Sequence, residues 1–165
     1  MLVGGVLAAV VAGEARATDP APARSEDDRF LDGLVGDWEV TGDVGRRPAH
    51  YRASGHRLLN GAWLAFHMTD IARPPGYEAT VFIAADDAAH DYVAHWLDRF
   101  GGGGARVAAS GTRSGDTLQL TFPYADGSFR NFWRRLPDGS WTLAIDAQGH
   151  DGSWSHFAQY QIRLA

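Results

Sequence analysis

Histidine is the side chain best suited to proton transfer and metal binding near neutral pH, and this chain has seven. His50 and His56 share one face of a strand-like segment yet stand ~20 Å apart at ~3.3 Å per residue, while His90 and His95, an odd number of residues apart, point in opposite directions. His67, His95 and His156 belong to three different segments and converge only if all three face one interior. Histidines that are satisfied by neighbours or exposed to water explain the pattern more simply, so no metal centre is expected.

Acid-base chemistry inside a cavity is the other use for such groups. On the last segment, Trp154, His156, Ala158, Tyr160, Ile162 and Leu164 alternate onto one face, which is expected to point inward. Buried there, His156 and Tyr160 would need polar partners, because an unmade buried hydrogen bond costs about 1–3 kcal/mol. A ligand, a water or a neighbouring protein group would serve. An inward histidine with Asp98 or Tyr160 could also work as a general acid and base.

Arginine offers a different chemistry. An inward Arg130 would need a carboxylate, which a fatty or other organic acid could supply in a bidentate contact. The opposite register places Phe129, Asn131 and Trp133 inside and leaves Arg130 and Arg134 in water, the more economical arrangement. Segment 63–70 splits into Trp63, Ala65, His67 and Thr69 against Leu64, Phe66, Met68 and Asp70, and segment 91–98 into Tyr92, Ala94, Trp96 and Asp98 against Val93, His95 and Leu97. Both faces of each carry apolar residues, so alternation does not choose the inner one. The aromatics, Trp96 and Trp38 among them, suit a flat guest and also suit plain core packing.

Other chemistries are absent. All fifteen basic residues are arginine and there is no cysteine, which removes lysine Schiff bases, the P-loop lysine, thiolate nucleophiles, disulfides and cysteine metal sites. Gly101 to Gly104 lacks the Lys-Ser/Thr and the helix of a phosphate loop and is expected to be a flexible hairpin loop. Ser110-Gly111 has no nucleophile elbow around it. A net charge of −5, with no clustered basic face, speaks against nucleic acid as a partner.

The elements that must hold these residues are short. At 165 residues, with 45% hydrophobic residues, six Trp, five Tyr and eight Phe, the chain is expected to form one domain with a real core. Leu2 to Ala12 is apolar and Ala15-Arg16-Ala17 offers a small-x-small cleavage site, so residues 1–17 are expected to be a signal peptide and the mature chain periplasmic or secreted. The stretch falls short of the ~20 residues that span a bilayer, and no integral membrane segment is expected. Residues 18–25, with Pro20 and Pro22, form a linker. Ser25 then caps an acidic first turn ahead of Phe30, Leu31, Leu34 and Val35 at helical spacing, the pattern of a one- or two-turn helix that plugs a barrel end.

From there to the C-terminus, turn residues recur at short intervals. Strands are expected near 37–44, 49–59, 63–70, 77–84, 91–98, 105–111, 117–124, 128–135, 140–147 and 154–164. Asn60-Gly61, Asp126-Gly127 and Asp138-Gly139 are tight-turn dipeptides, read as type I′ hairpins. Ten meandering strands close on themselves to remove their edges, which gives an all-β, antiparallel up-and-down barrel over residues 26–165. A barrel of that size leaves room for a cavity, whereas a two-sheet sandwich of the same strands would not.

Leu31-x-x-Leu34-x-Gly36-x-Trp38, Leu59-Asn60-Gly61-x-Trp63-Leu64, Tyr92-x-x-x-Trp96-x-Asp98 and Tyr160-x-Ile162-Arg163 occur in that order. Together they resemble the bacterial lipocalin-like barrels of domain-of-unknown-function family 1579 over about residues 28 to 165. That resemblance implies a calycin-type barrel with a small-molecule cavity and no generally assigned reaction. More distantly the chain is similar to the nitrobindins, ten-stranded haem barrels with an early Gly-x-Trp-x-Gly-x-Gly strand. Here the strand reads Gly36-Asp37-Trp38-Glu39-Val40-Thr41-Gly42, with Val40 in a glycine position. In the nitrobindins a histidine near the C-terminus holds ferric haem, and His156 falls at about that place.

The leading expectation is an exported module that binds a small hydrophobic or aromatic molecule, with no required cofactor. The alternatives are a cavity isomerase, cyclase or lyase, a haem barrel, and a filled structural or interaction barrel.

Overall fold

A computed structural model describes residues 25–165. The expected signal peptide, and the linker apart from Ser25, lie outside the described residues. A short helix, α1 (Glu26–Phe30), runs into a 3-10 turn (Leu31–Leu34), and ten strands follow: β1 (Gly36–Val44), β2 (Arg47–Leu58), β3 (Trp63–Asp70), β4 (Glu78–Asp86), β5 (Asp91–Asp98), β6 (Ala108–Ser114), β7 (Thr117–Phe122), β8 (Phe129–Arg135), β9 (Trp141–Gln148) and β10 (Trp154–Leu164). Each strand pairs antiparallel with its sequence neighbours, and β1 closes the ring against β10 from Trp38↔Leu164 to Val44↔Ala158. The expected closed barrel is therefore the observed one. Its sixth strand starts later than expected because Ala105 to Val107 belong to the preceding loop.

The turn dipeptides behave differently from one another. Asn60 and Gly61 both take positive φ (57° and 91°), inside a 3-10 turn. At the other two dipeptides only Gly127 and Gly139 do, so neither is the type I′ turn expected. Asp138 instead accepts from the backbone N–H of Ser140 (3.0 Å) and from its hydroxyl (2.6 Å), which stabilises a turn through its side chain.

The helix plugs the end of the barrel where β1 begins. Ser25 caps it by accepting from Asp28 N–H at 3.0 Å, as the acidic first turn anticipates. Phe30, Leu31 and Leu34 are buried, with Phe30 edge-on to Trp141 at 5.1 Å. Two indole N–H groups satisfy carbonyls of the turn: Trp38 donates to Leu34 O (2.9 Å) and Trp141 to Gly33 O (3.0 Å). Charged contacts fix the helix itself. Arg113 reaches Asp27 at 2.7 Å, and Arg57 reaches Asp28 and Asp32, each at 2.8 Å. Gly55 on β2 marks how closely the plug docks, since a Cβ there would stand 1.8 Å from Leu34 O.

Alternation fills the interior with Trp38 and Val40, Leu64, Phe66 and Met68, Val81 and Ile83, Leu118 and Leu120, Trp133, Leu143 and Ile162, all buried. In a ring of ten strands in the observed order, β3 and β8 lie diametrically opposite. Phe66 on β3 and Trp133 on β8 nevertheless meet edge to face at 5.4 Å between ring centroids. The barrel is therefore closed across its axis at this level, and a cavity running its full length, which ten strands would allow, does not form.

Candidate functional site

The end opposite the plug is built from aromatic rings. Tyr160 on β10 and Tyr51 on β2 pack edge to face at 5.8 Å between ring centroids, and Tyr51 stands 6.0 Å from Tyr77. Tyr77, just before β4, accepts a hydrogen bond from Trp96 Nε1 at 3.0 Å. Trp96 meets Phe122 edge-on at 6.3 Å, Phe122 stacks on Tyr124 at 6.0 Å, and Tyr124 leads through Phe129 to Phe157. Phe100, 79% exposed, lies over Tyr77 at 6.1 Å. The rings thus form one unbroken chain around the mouth.

A hollow of about 470 Å³ opens at the rim beside Tyr51, between Val44, Arg47, Ala49, His50 and Asp70. That size lies within the usual range for small-molecule sites, about 300–1,000 Å³. Val44, Ala49 and Tyr51 reach it from the inner face, so the hollow leads toward the ring chain and away from the filled middle.

Burial raises all five tyrosine pKa values, because a phenolate is poorly solvated there. Four of the five belong to the mouth, while Tyr92 at the plug donates to Asp27 O at 2.9 Å. A raised phenol pKa supports the fold fully below the unfolded value near 10 and loses that support as the pH climbs past it. At pH 10, where a free phenol is half ionised, the native protein is expected to show little phenolate absorbance at 295 nm. Ionisation should then rise together with loss of near-ultraviolet circular dichroism. Half-complete ionisation at pH 10 with native dichroism would contradict the burial of these hydroxyls.

The residues singled out from sequence divide between the two sides of the wall. Tyr160 and Trp96 face inward at the mouth, and Trp38 faces inward at the plugged end. His156 faces outward, contrary to expectation, because β10 carries a bulge between His156 and Ala158. The extra residue, Phe157, shifts the alternation by one. His156 therefore pairs with outward Asp146 while Ala158 pairs with inward Ile145. Outside, His156 Nε2 lies 2.9 Å from Asp43, and this hydrogen bond holds the Asp43 carboxyl below its ordinary range. Trp154 is displaced with it and packs 4.3 Å over the Arg130 guanidinium.

Arg130 itself faces outward and pairs with Asp146 at 2.9 Å, so it offers no inward anchor for an organic acid. His67 is also outside, within reach of Thr80 (2.9 Å), Thr69 (3.0 Å) and Glu78 (3.2 Å). His95 lies opposite Phe82 on the outer wall, 6.2 Å from the Trp63 ring. The three histidines do not converge, and among the described residues no cluster of three or more His, Asp or Glu could hold a metal. Haem gripped by His156 from within the barrel does not fit, since that imidazole is outside and Phe66 and Trp133 fill the middle.

Tyr51, Tyr77 and Tyr124 were not singled out from sequence. For Tyr51 a signal existed: Ala49, Tyr51, Ala53 and Gly55 alternate with His50, Arg52, Ser54 and His56, which marks the apolar face as inner. Tyr77 and Tyr124 sit at the ends of two expected strands, in phase with Ala79, Val81 and Ile83 and with Leu118, Leu120 and Phe122, so alternation marked them as inner too, although Pro75-Gly76 and Pro123 interrupt the runs beside them.

No family model and no curated protein matches this chain. Among solved structures it is similar to the crystal structure of Rv2717c from M. tuberculosis, with 13% identity and a TM-score of 0.58 over 86% of this chain and 98% of that one. At that identity the likeness shows the barrel fold alone.

Proposed function

We propose that this barrel binds a small, flat aromatic or hydrophobic molecule at its aromatic mouth, entering by the hollow beside Tyr51 and lying against Tyr51 and Tyr77. The observation that carries this is the unbroken ring chain at the open end, in which the Trp96 indole N–H is bonded to the Tyr77 hydroxyl. A guest's polar edge can take over that bond while its face stacks on the rings, and offset or edge-on aromatic pairs contribute about 0.5–1.5 kcal/mol beyond burial. Filling of the middle by Phe66 and Trp133 confines the guest to the mouth.

Kinship with the lipocalin-like barrels of family 1579 is part of the same proposal and rests on the order of the four motifs. Export rests on Leu2–Ala12 and Ala15-Arg16-Ala17 in the same way.

Calorimetric titration of the protein with 1-naphthol tests the site. Saturable binding is expected, weakened about tenfold by Tyr51→Ala or Tyr77→Ala, which corresponds to ~1.4 kcal/mol. Absence of saturable heat, or equal affinity in all three proteins, would overturn the proposal.

A further inference from the structure

A second concavity lies outside the barrel. A cleft of about 930 Å³ runs over the outer faces of β1, β2 and β3, and its walls include Glu39, His50, Arg52, Thr69 and Arg73. Glu39, Arg52 and Thr69 stand abreast on the three strands. The outside of a barrel wall is ordinarily open to water, but here the segment from Ile71 to Tyr77 folds back as a roof. It is pinned by Ile71 N–H to His50 O (3.2 Å) and by Asp70, whose two carboxylate oxygens accept from Ala72 N–H (2.9 Å) and Gly76 N–H (3.2 Å). Arg99 holds the far side of the roof through the Pro75 and Gly76 carbonyls.

The charges inside are unevenly committed. Glu39 faces Arg52 across the strands, yet its carboxylate bonds His50 Nε2 at 2.7 Å. Asp70 is occupied by the roof. Arg52 and Arg73 have no ion-pair partner among the described residues, although Asp37 and the terminal residue Ala165 also line the cleft. A guanidinium presents a planar fork of donors matched to two oxygens of a carboxylate or phosphate. Arg52 on the wall and Arg73 in the roof leave two such forks uncommitted in one cleft.

We propose that this cleft is a second binding site, for a small molecule bearing a carboxylate or phosphate group held between Arg52 and Arg73. It is separate from the mouth and does not depend on what the mouth binds, although His50 and Asp70 border both hollows.

Amide NMR titration of the full chain with sodium benzoate and with sodium phosphate, each at constant ionic strength, tests it. Saturable shifts are expected at His50, Arg52 and Arg73 with at least one of the two anions, and the responsive anion identifies the group recognised. Arg52→Gln is expected to weaken that binding at least tenfold and the double variant Arg52→Gln/Arg73→Gln to abolish it. Both variants should keep the wild-type melting temperature and 1-naphthol affinity, because Arg52 lies on the outer wall and Arg73 in the exposed roof segment. Non-saturating shifts with both anions, or saturable binding that is unchanged in Arg52→Gln, would overturn the proposal.

Discussion

Trp133→Ala is expected to cost about 3–5 kcal/mol, the range for deleting a large aromatic from a core that cannot collapse around the space. For a domain of this size that is a fall of roughly 10 °C in melting temperature. The side chain is fully buried and spans the axis to Phe66, so its removal opens a gap between walls held apart by hydrogen-bonded strands. Its indole N–H is buried without a partner among the described residues, at a cost of about 1–3 kcal/mol. Trp133→Phe should therefore destabilise much less than Trp133→Ala. Because the two rings touch, Phe66→Ala and Trp133→Ala should be non-additive in a double-mutant cycle, by more than ~0.5 kcal/mol. A loss below ~1 kcal/mol for Trp133→Ala would show that the middle of the barrel is not filled as described.

Arg57→Met is the second large effect, at about 3–5 kcal/mol, because it withdraws one partner from a buried ionic cluster. The Arg57 side chain is 13% exposed and that of Asp28 12%. The guanidinium bonds Asp28, Asp32 and the carbonyls of Asp28 and Gly61, and so ties the plug to the barrel wall at the end of β2. Truncation to Met keeps much of the aliphatic volume but removes the guanidinium from beside the nearly buried Asp28 carboxylate. Urea unfolding should show a lower midpoint with an unchanged slope. Arg57→Met/Asp28→Asn should recover part of the loss, since the buried charge is then gone too. If the single variant unfolds within ~0.5 kcal/mol of wild type, the plug is not held by this cluster.

Much of the architecture was legible because short-range chemistry dictates it. Ser25 before three acidic residues caps a helix wherever it sits, and Gly, Pro, Asn and Asp between apolar runs turn a strand back on itself. Ten strands, the plug and closure follow from those local facts. What failed was the step from alternation to the inner face. On β10 the pattern holds for Ala158, Tyr160 and Ile162 and breaks at His156, because a bulge costs one residue and leaves no compositional mark. On β3 both faces look apolar because the outer wall carries Trp63 and Ala65, the latter only 2% exposed.

The mouth was less legible still. Tyr51, Tyr77 and Tyr124 could each be assigned an inner face from alternation, with Ala53, with Val81 and Ile83, and with Leu120 and Phe122, but alternation does not say which rings meet. They are brought together by barrel closure, a relation among residues far apart in sequence. Arg130, named as a candidate anchor for an organic acid, is on the outer wall instead. Register decides it, by setting Arg130 opposite Asp146.

The most direct test of a filled barrel with an aromatic binding mouth is the set of intermolecular nuclear Overhauser effects from 1-naphthol bound to the native protein. Contacts to the ring protons of Tyr51 and Tyr77, with none to Phe66 or Trp133, are the predicted result. Contacts to Phe66 or Trp133 would place the guest at the axis and contradict the filled middle, and contacts confined to the outer wall would contradict the mouth as the site.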